Sequence, residues 1–175
     1  MATSTRLVTP DQFRAEYGSE GGWEYWFGEA VRKGTSTTLH GIMQFILMLL
    51  FDSAGYHVGS EVDLRIDPDW EPRPDVLVSS DLIEQPYPTR PAQLTVIEIL
   101  SPDDAMQRVI KKRRHYTRVG IETVFIVDPE MRDIWRWSAT ADAIERAENI
   151  TLPDGFSLTG NVIWQELEKK TKPRR

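Results

Sequence analysis

The sequence predicts an α/β or α+β sandwich built on a mixed sheet, and three segments carry that expectation. Leu94–Leu100 is a nearly continuous apolar run interrupted by Glu98, and Thr123–Val127 is a second such run. Runs of this kind belong to central strands covered on both faces. Thr38–Ser53 places Leu39, Ile42, Met43, Ile46, Leu47 and Leu50 at helical spacing. The central order is helix, strand, strand, strand, helix, strand, which layers helices against a sheet.

The elements follow in order. Thr9-Pro10-Asp11 opens a short helix, with Thr9 as N-cap and Pro10 at the first helical position, and Gly18 ends it. Trp23–Lys33 alternates as a strand pair turning near Gly28. The Thr38–Ser53 helix is apolar on most sides, which predicts burial, and Gly55 caps it. Val58–Ile66 alternates through Val62, Leu64 and Ile66 as a strand. A proline-rich turn from Pro68 to Pro74 leads into the short strand Asp75–Ser79. Ser101-Pro102-Asp103-Asp104 starts a helix that stops at Gly120. Ile134–Trp137 and Ala143–Ala147 read as outer strands, and Val162–Lys169 as a last helix.

Composition bounds the class. The 175 residues suit one domain, and 40% hydrophobic content supplies a core. The absence of cysteine excludes disulfides, zinc thiolates and thiol nucleophiles, and suits a reducing compartment. The segment MATSTRLVTP lacks the apolar centre of a signal peptide, and the longest apolar run, Gly41 to Phe51, falls short of the about 20 residues that span a bilayer. A cytoplasmic protein without membrane contact is expected. A net charge of −6 argues against coating nucleic acid by bulk electrostatics. Local basic surface exists nonetheless: Arg108, Lys111, Lys112, Arg113, Arg114, His115 and Arg118 crowd one stretch, and Lys169 to Arg175 reads as a basic mobile tail.

Two acids stand out. A carboxylate within an apolar strand, as at Glu98, costs several kcal/mol unless it is paired or metal-bound. Asp75 opens a strand directly after a proline, where by itself it also reads as a turn residue. On neighbouring strands the two would converge on one hard cation such as Mg²⁺ or Mn²⁺. A lysine can then stabilise charge in the transition state. On the helix after Glu98, at 100° per residue, Met106, Val109, Ile110 and Tyr116 define the inward arc and Lys112 lies on its flank. Arg113 also falls within that arc, so helical geometry leaves Lys112 and Arg113 both open. Lys111, Arg114 and Arg118 point outward.

Pro74-Asp75-Val76-Leu77-Val78, then Val96-Ile97-Glu98-Ile99-Leu100-Ser101-Pro102, then Lys112, Tyr116, Gly120 and Val127-Asp128-Pro129 together resemble the Uma-type restriction endonuclease family of the PD-(D/E)XK nuclease superfamily. Trp23-Glu24-Tyr25, Gly28-Glu29 and His40 resemble its opening segment, so the likeness spans roughly residues 9 to 137. It implies a restriction-endonuclease-like mixed sheet flanked by helices. It also implies Asp75, Glu98 and the Ile99 carbonyl as metal ligands, Lys112 as the catalytic cation, and Glu29, His40 and Tyr116 as supporting groups. The superfamily lysine two residues after the second acid is Leu100 here, and Lys112 on the next helix takes its place. Arg108 stands where members often carry an acid, which makes this helix more basic. The implied function is Mg-dependent cleavage of DNA by a homodimer, with Arg108, Lys111, Arg114 and Arg118 on the phosphate backbone. The alternatives are a non-cleaving nuclease-fold module that binds nucleic acid or a protein, and an assembly protein using Trp135 and Trp137 as an interface.

Overall fold

The computed structural model describes residues 7–18, 20–102, 106–138 and 140–172. Its elements in chain order are α1 (Pro10–Tyr17), β1 (Trp23–Trp26), β2 (Glu29–Arg32), α2 (Thr38–Ser53), β3 (His57–Gly59), β4 (Trp70–Glu71), β5 (Val76–Ser79), β6 (Leu94–Ile99), α3 (Met106–Arg118), β7 (Thr123–Asp128), β8 (Asp133–Ser138), β9 (Ala143–Ala147), β10 (Asn149–Thr151), β11 (Ser157–Thr159) and α4 (Gly160–Thr171).

The expected mixed sheet is present, with strand order β3-β5-β6-β7-β8-β9. Only the β6–β7 pair is parallel among these neighbours. That pair needs a crossover, and α3 supplies it. A smaller sheet, β2-β1-β4, and the β10–β11 hairpin complete the strands.

Alternation along β5 and β6 sorts side chains to two faces. Val76, Val78, Ile97 and Ile99 meet Met43, Ile46, Leu47 and Phe51 of α2 and Ile163 and Leu167 of α4. Leu77, Val96 and Val124 meet Tyr116 of α3 with Trp26, Leu64 and Trp70. Phe51 is fully buried. Phe51→Ala is therefore expected to cost about 3–5 kcal/mol, read as a lower urea midpoint at unchanged slope.

Local signals fared well where chain chemistry is strong. Thr9 accepts from the Gln12 N–H, and the Gln12 side chain returns the bond to the Thr9 N–H. Phe27 and Gly28 form the two-residue turn between β1 and β2, both with positive φ.

Several expectations need correction. The strand at Val58 ends at Gly59, because Glu61 takes a left-handed φ of 55° and turns the chain, so Val62, Leu64 and Ile66 lie outside any strand. The Pro68–Pro74 turn contains β4, which pairs with β1. The helix α2 is not buried on all sides, since Phe45 and Leu49 are 54% and 43% exposed. Trp137 is a core residue rather than an interface residue, and Trp135 is half-buried. Residues 169–171 continue α4 instead of starting a tail, and 173–175 lie outside the described residues. The predicted helix start at Asp103-Asp104 and the side chain of Met106 also lie outside them.

Candidate metal and phosphodiester site

The β5–β6 register pairs Val76 with Ile97 and Leu77 with Val96. One step further it sets Asp75 across from Glu98, and both point to the α3 face of the sheet. The two acids, distant in sequence, thus become neighbours through strand pairing alone.

Each acid is held by protein donors. Asp75 Oδ2 accepts the Ile99 N–H at 2.7 Å, and His40 Nε2 lies 3.3 Å from the same oxygen. Asp75 Oδ1 accepts from Lys33 Nζ at 3.0 Å. Glu98 Oε1 accepts from the Tyr116 hydroxyl at 2.7 Å. Lys112 Nζ lies 2.8 Å from Glu98 Oε1 and 3.1 Å from Oε2. A carboxylate offers about four acceptor positions. Three are used on each acid, which leaves one on Asp75 Oδ1 and one on Glu98 Oε2.

The Ile99 carbonyl is a third acceptor. Its N–H points at Asp75, and in a strand the carbonyl of the same residue faces the same neighbour. The residue across from Ile99 in the β5 register is Pro74, which has no N–H to give. The proline before Asp75 therefore leaves an oxygen without a strand partner beside the two acids.

Lys112 has a second anchor that the sequence reading missed. Glu24 of β1 is fully buried, and its Oε1 lies 2.7 Å from Lys112 Nζ. The Arg73 N–H donates to Glu24 Oε1 at 2.8 Å and Trp26 Nε1 to Oε2 at 3.1 Å, so the carboxylate is clamped. An acid among apolar residues in a strand is the signal that pointed to Glu98, and it applies equally to Trp23-Glu24-Tyr25. Lys33 was also missed. It follows β2 in a Gly/Ser/Thr loop and bridges Asp75, Glu61 and the Arg73 carbonyl. Nothing local distinguishes it from a surface lysine.

Burial and charge set the protonation states. Burial alone would raise the Asp75 carboxyl, but the His40 hydrogen bond and the charges of Lys33 and Lys112 hold it well below the usual carboxylate range. Burial lifts Glu98 above its ordinary value, with the negative charges of Asp75 and Glu24 adding to it against Lys112. Burial would lower Lys112, yet Glu24 and Glu98 raise it, so it stays a cation. The Tyr116 hydroxyl is pushed well above 10 by burial and remains a donor. His40 is raised: burial opposes this, and Asp75 outweighs burial.

A cavity of about 50 Å³ opens on Lys33, His40, Asp75, Glu98, Arg108 and Lys112. One water needs about 10–15 Å³ of such space, so the cavity holds an ion together with a few waters. Four carboxylates, Asp75, Glu98, Glu24 and Glu61, face two ammonium groups, Lys33 and Lys112. Arg108 on the cavity wall is a third positive group, so the acids and cations around the site nearly balance. The open oxygens on Asp75, Glu98 and Ile99 are the donor type that a hard divalent cation takes. Among the described residues no group of three or more His, Cys, Asp or Glu side chains is placed to hold a metal, so a cation there would rely on the backbone oxygen and water.

The other expected residues divide. Tyr116 and His40 join the site. Glu29 is exposed at the turn end of β2, and no contact ties it to Asp75 or Glu98 among the described residues; Glu24 occupies the place expected of it. Of the two residues helical geometry left open, Lys112 reaches the acids. Arg113 is buried with its guanidinium unpartnered and is pulled down to about 10 by that burial. Arg108 lines the cavity, Lys111 and Arg118 are exposed, and Arg114 pairs with Asp142 at 2.8 Å.

Among solved structures, the fold matches a protein described as a putative nuclease belonging to DUF820 from Anabaena variabilis. The TM-score is 0.71 at 20% sequence identity, covering 91% of this chain and 99% of that one. At this identity the likeness speaks for the fold, which is restriction-endonuclease-like. No curated protein matches the chain. The model of the Uma2 family, described as "Putative restriction endonuclease", matches residues 10–168, and the chain belongs to that family.

Proposed function

We propose that the protein is a Mg²⁺- or Mn²⁺-dependent endonuclease that hydrolyses phosphodiester bonds in DNA. The observation that carries this reading is the meeting of Asp75, Glu98 and Lys112 at one cavity whose remaining acceptors are oxygens of the kind a divalent cation takes. Asp75, Glu98 and the Ile99 carbonyl would hold the ion. A cation there would lower the pKa of water and neutralise charge on the phosphoryl group.

The chain's own groups do the rest. Lys112 is clamped between Glu24 and Glu98 and is too firmly protonated to serve as a base. It stabilises developing negative charge as a fixed positive one. Arg108, on the cavity wall, binds the phosphate by a charge-assisted bond. Cutting both strands of a duplex takes two such sites, which a homodimer supplies. The absence of cysteine suits the reducing cytoplasm, and the described residues include no helix long and apolar enough to cross a membrane.

Nicking of supercoiled plasmid tests the proposal. Nicking is expected to require Mg²⁺ or Mn²⁺, to stop with chelator, and to vanish in Asp75→Asn. Equal nicking by parent and variant would sink the enzymatic reading. A non-cleaving nuclease-fold module is favoured by one observation: Lys33 and Lys112 already occupy most acceptors of the two acids. Metal-independent DNA binding without nicking would support it.

A further inference from the structure

We propose that Phe27, at the tip of the β1–β2 hairpin, is a stacking platform for an unpaired nucleobase of the strand that enters the cavity, with Arg108, Lys111 and Arg118 carrying that strand's phosphates. This rests on the reading of the site as a nuclease centre and adds a base contact to it.

The turn residue itself is the first observation. Phe27 and Gly28 have φ of 50° and 88° in a two-residue hairpin turn. Such turns take Asn-Gly or Asp-Gly, because few side chains tolerate the left-handed region. A phenyl group there is locally disfavoured. Packing rewards it only in part: the ring rests on His115, yet Phe27 stays 41% exposed. A strained residue whose ring stays this open points to function.

The second observation is what the ring rests on. The Phe27 centroid lies 4.5 Å from that of His115, and His115 lies 5.3 Å from Trp70. Burial first, then the charges of Arg118 and Lys111, push His115 below its ordinary value. At neutral pH it is an uncharged aromatic support rather than another cation.

The third is the direction of positive charge. At 100° per residue, positions 108, 111, 115 and 118 fall within about 80° of one another on α3. This ridge starts at Arg108 on the cavity wall, continues through exposed Lys111, passes His115 under Phe27 and ends at exposed Arg118. Arg114 is off the ridge and held by Asp142. The seven residues from Arg108 to His115 rise about 10 Å, close to three base steps of 3.4 Å. On a chain of net charge −6, this ridge is a surface where a polyanion gains. An exposed aromatic ring flanked by cations is how single strands are held without reading their sequence.

The test uses full-length protein carrying Asp75→Asn to prevent cleavage. Its probe is a mixed-sequence single-stranded oligodeoxynucleotide with 2-aminopurine at successive positions. Quenching of 2-aminopurine is expected at one position and is expected to disappear with Phe27→Asn, together with a roughly tenfold loss of affinity. Asparagine tolerates the left-handed turn, so the hairpin and the melting temperature should persist. Lys111→Ala is expected to weaken binding with a shallower salt dependence and leave the quenching in place. Unchanged affinity and unchanged quenching in Phe27→Asn would overturn the proposal. So would a dimer-to-monomer shift caused by that variant, which would assign the ring to a second copy of the chain. Plasmid nicking that keeps its parental KM in Phe27→Asn on the otherwise unaltered chain overturns this inference alone. Failure of the parent to bind any oligonucleotide overturns the nuclease reading with it.

Discussion

Lys112→Met is expected to destabilise the protein by about 3–5 kcal/mol, the range for removing one partner of a buried ion pair. The ammonium lies within 2.8 Å of both Glu24 and Glu98, so its loss leaves two buried carboxylates facing one another. Methionine fills a similar volume, so little of the effect is cavity formation. Denaturant midpoint and melting temperature read the loss. Because the destabilised site is a surplus of negative charge, millimolar Mg²⁺ is expected to restore part of the stability. A midpoint unchanged by the substitution would show that Lys112 does not bind the acids together. Nicking activity should fall as well, and Lys112→Arg should not restore it, since a planar fork cannot replace a point charge between two acids.

Glu98→Gln is expected to give the opposite pattern, with more than about 100-fold loss of nicking at nearly parental stability. Even groups outside a metal's ligand set are worth 10–100-fold, so a ligand should cost at least the upper figure. Glutamine keeps an oxygen for the Tyr116 hydroxyl, and Lys112 retains Glu24. Burial already disfavours the charged form of Glu98, so neutralising it removes a desolvation penalty. Calorimetric titration with Mn²⁺ should lose its heat in the variant. Retained nicking together with retained Mn²⁺ binding would remove Glu98 from the site. The two substitutions thus separate the charge that holds the site together from the charge that would hold the ion.

Much of the site could be read in the linear chain because burial and charge conflict locally. Glu98 betrays itself inside an apolar run, whereas Asp75 after a proline reads locally as a turn residue and is singled out by the family resemblance. The same reasoning extends to Glu24, and aromatic neighbours on both sides were the available cue. Lys33 gave no cue at all, since its role comes from a loop that packs on residues 28 and 42 positions away. Glu29 drew attention by its place after Gly28, but the end of a hairpin is solvated, and the chain inserts Glu24 instead. Tandem alternation at Val62, Leu64 and Ile66 imitated a strand because those side chains do pack inward, while a left-handed Glu61 and hydrogen bonds to Pro72 and Pro74 carbonyls replace ladder pairing.

Helix caps, the hairpin turn, the two central strands and the conflict at Glu98 follow from interactions spanning a few residues, and these are written in the chain itself. Which cation completes the site does not follow that way. On α3, Lys112 and Arg113 are adjacent and both turn inward, and helical periodicity cannot part them. The choice falls to Glu24, brought by a different sheet, whose clamped carboxylate gives Lys112 a partner and leaves Arg113 without one. Contacts between distant strands carry that decision, because a buried charge is stable only where another element supplies its counter-charge.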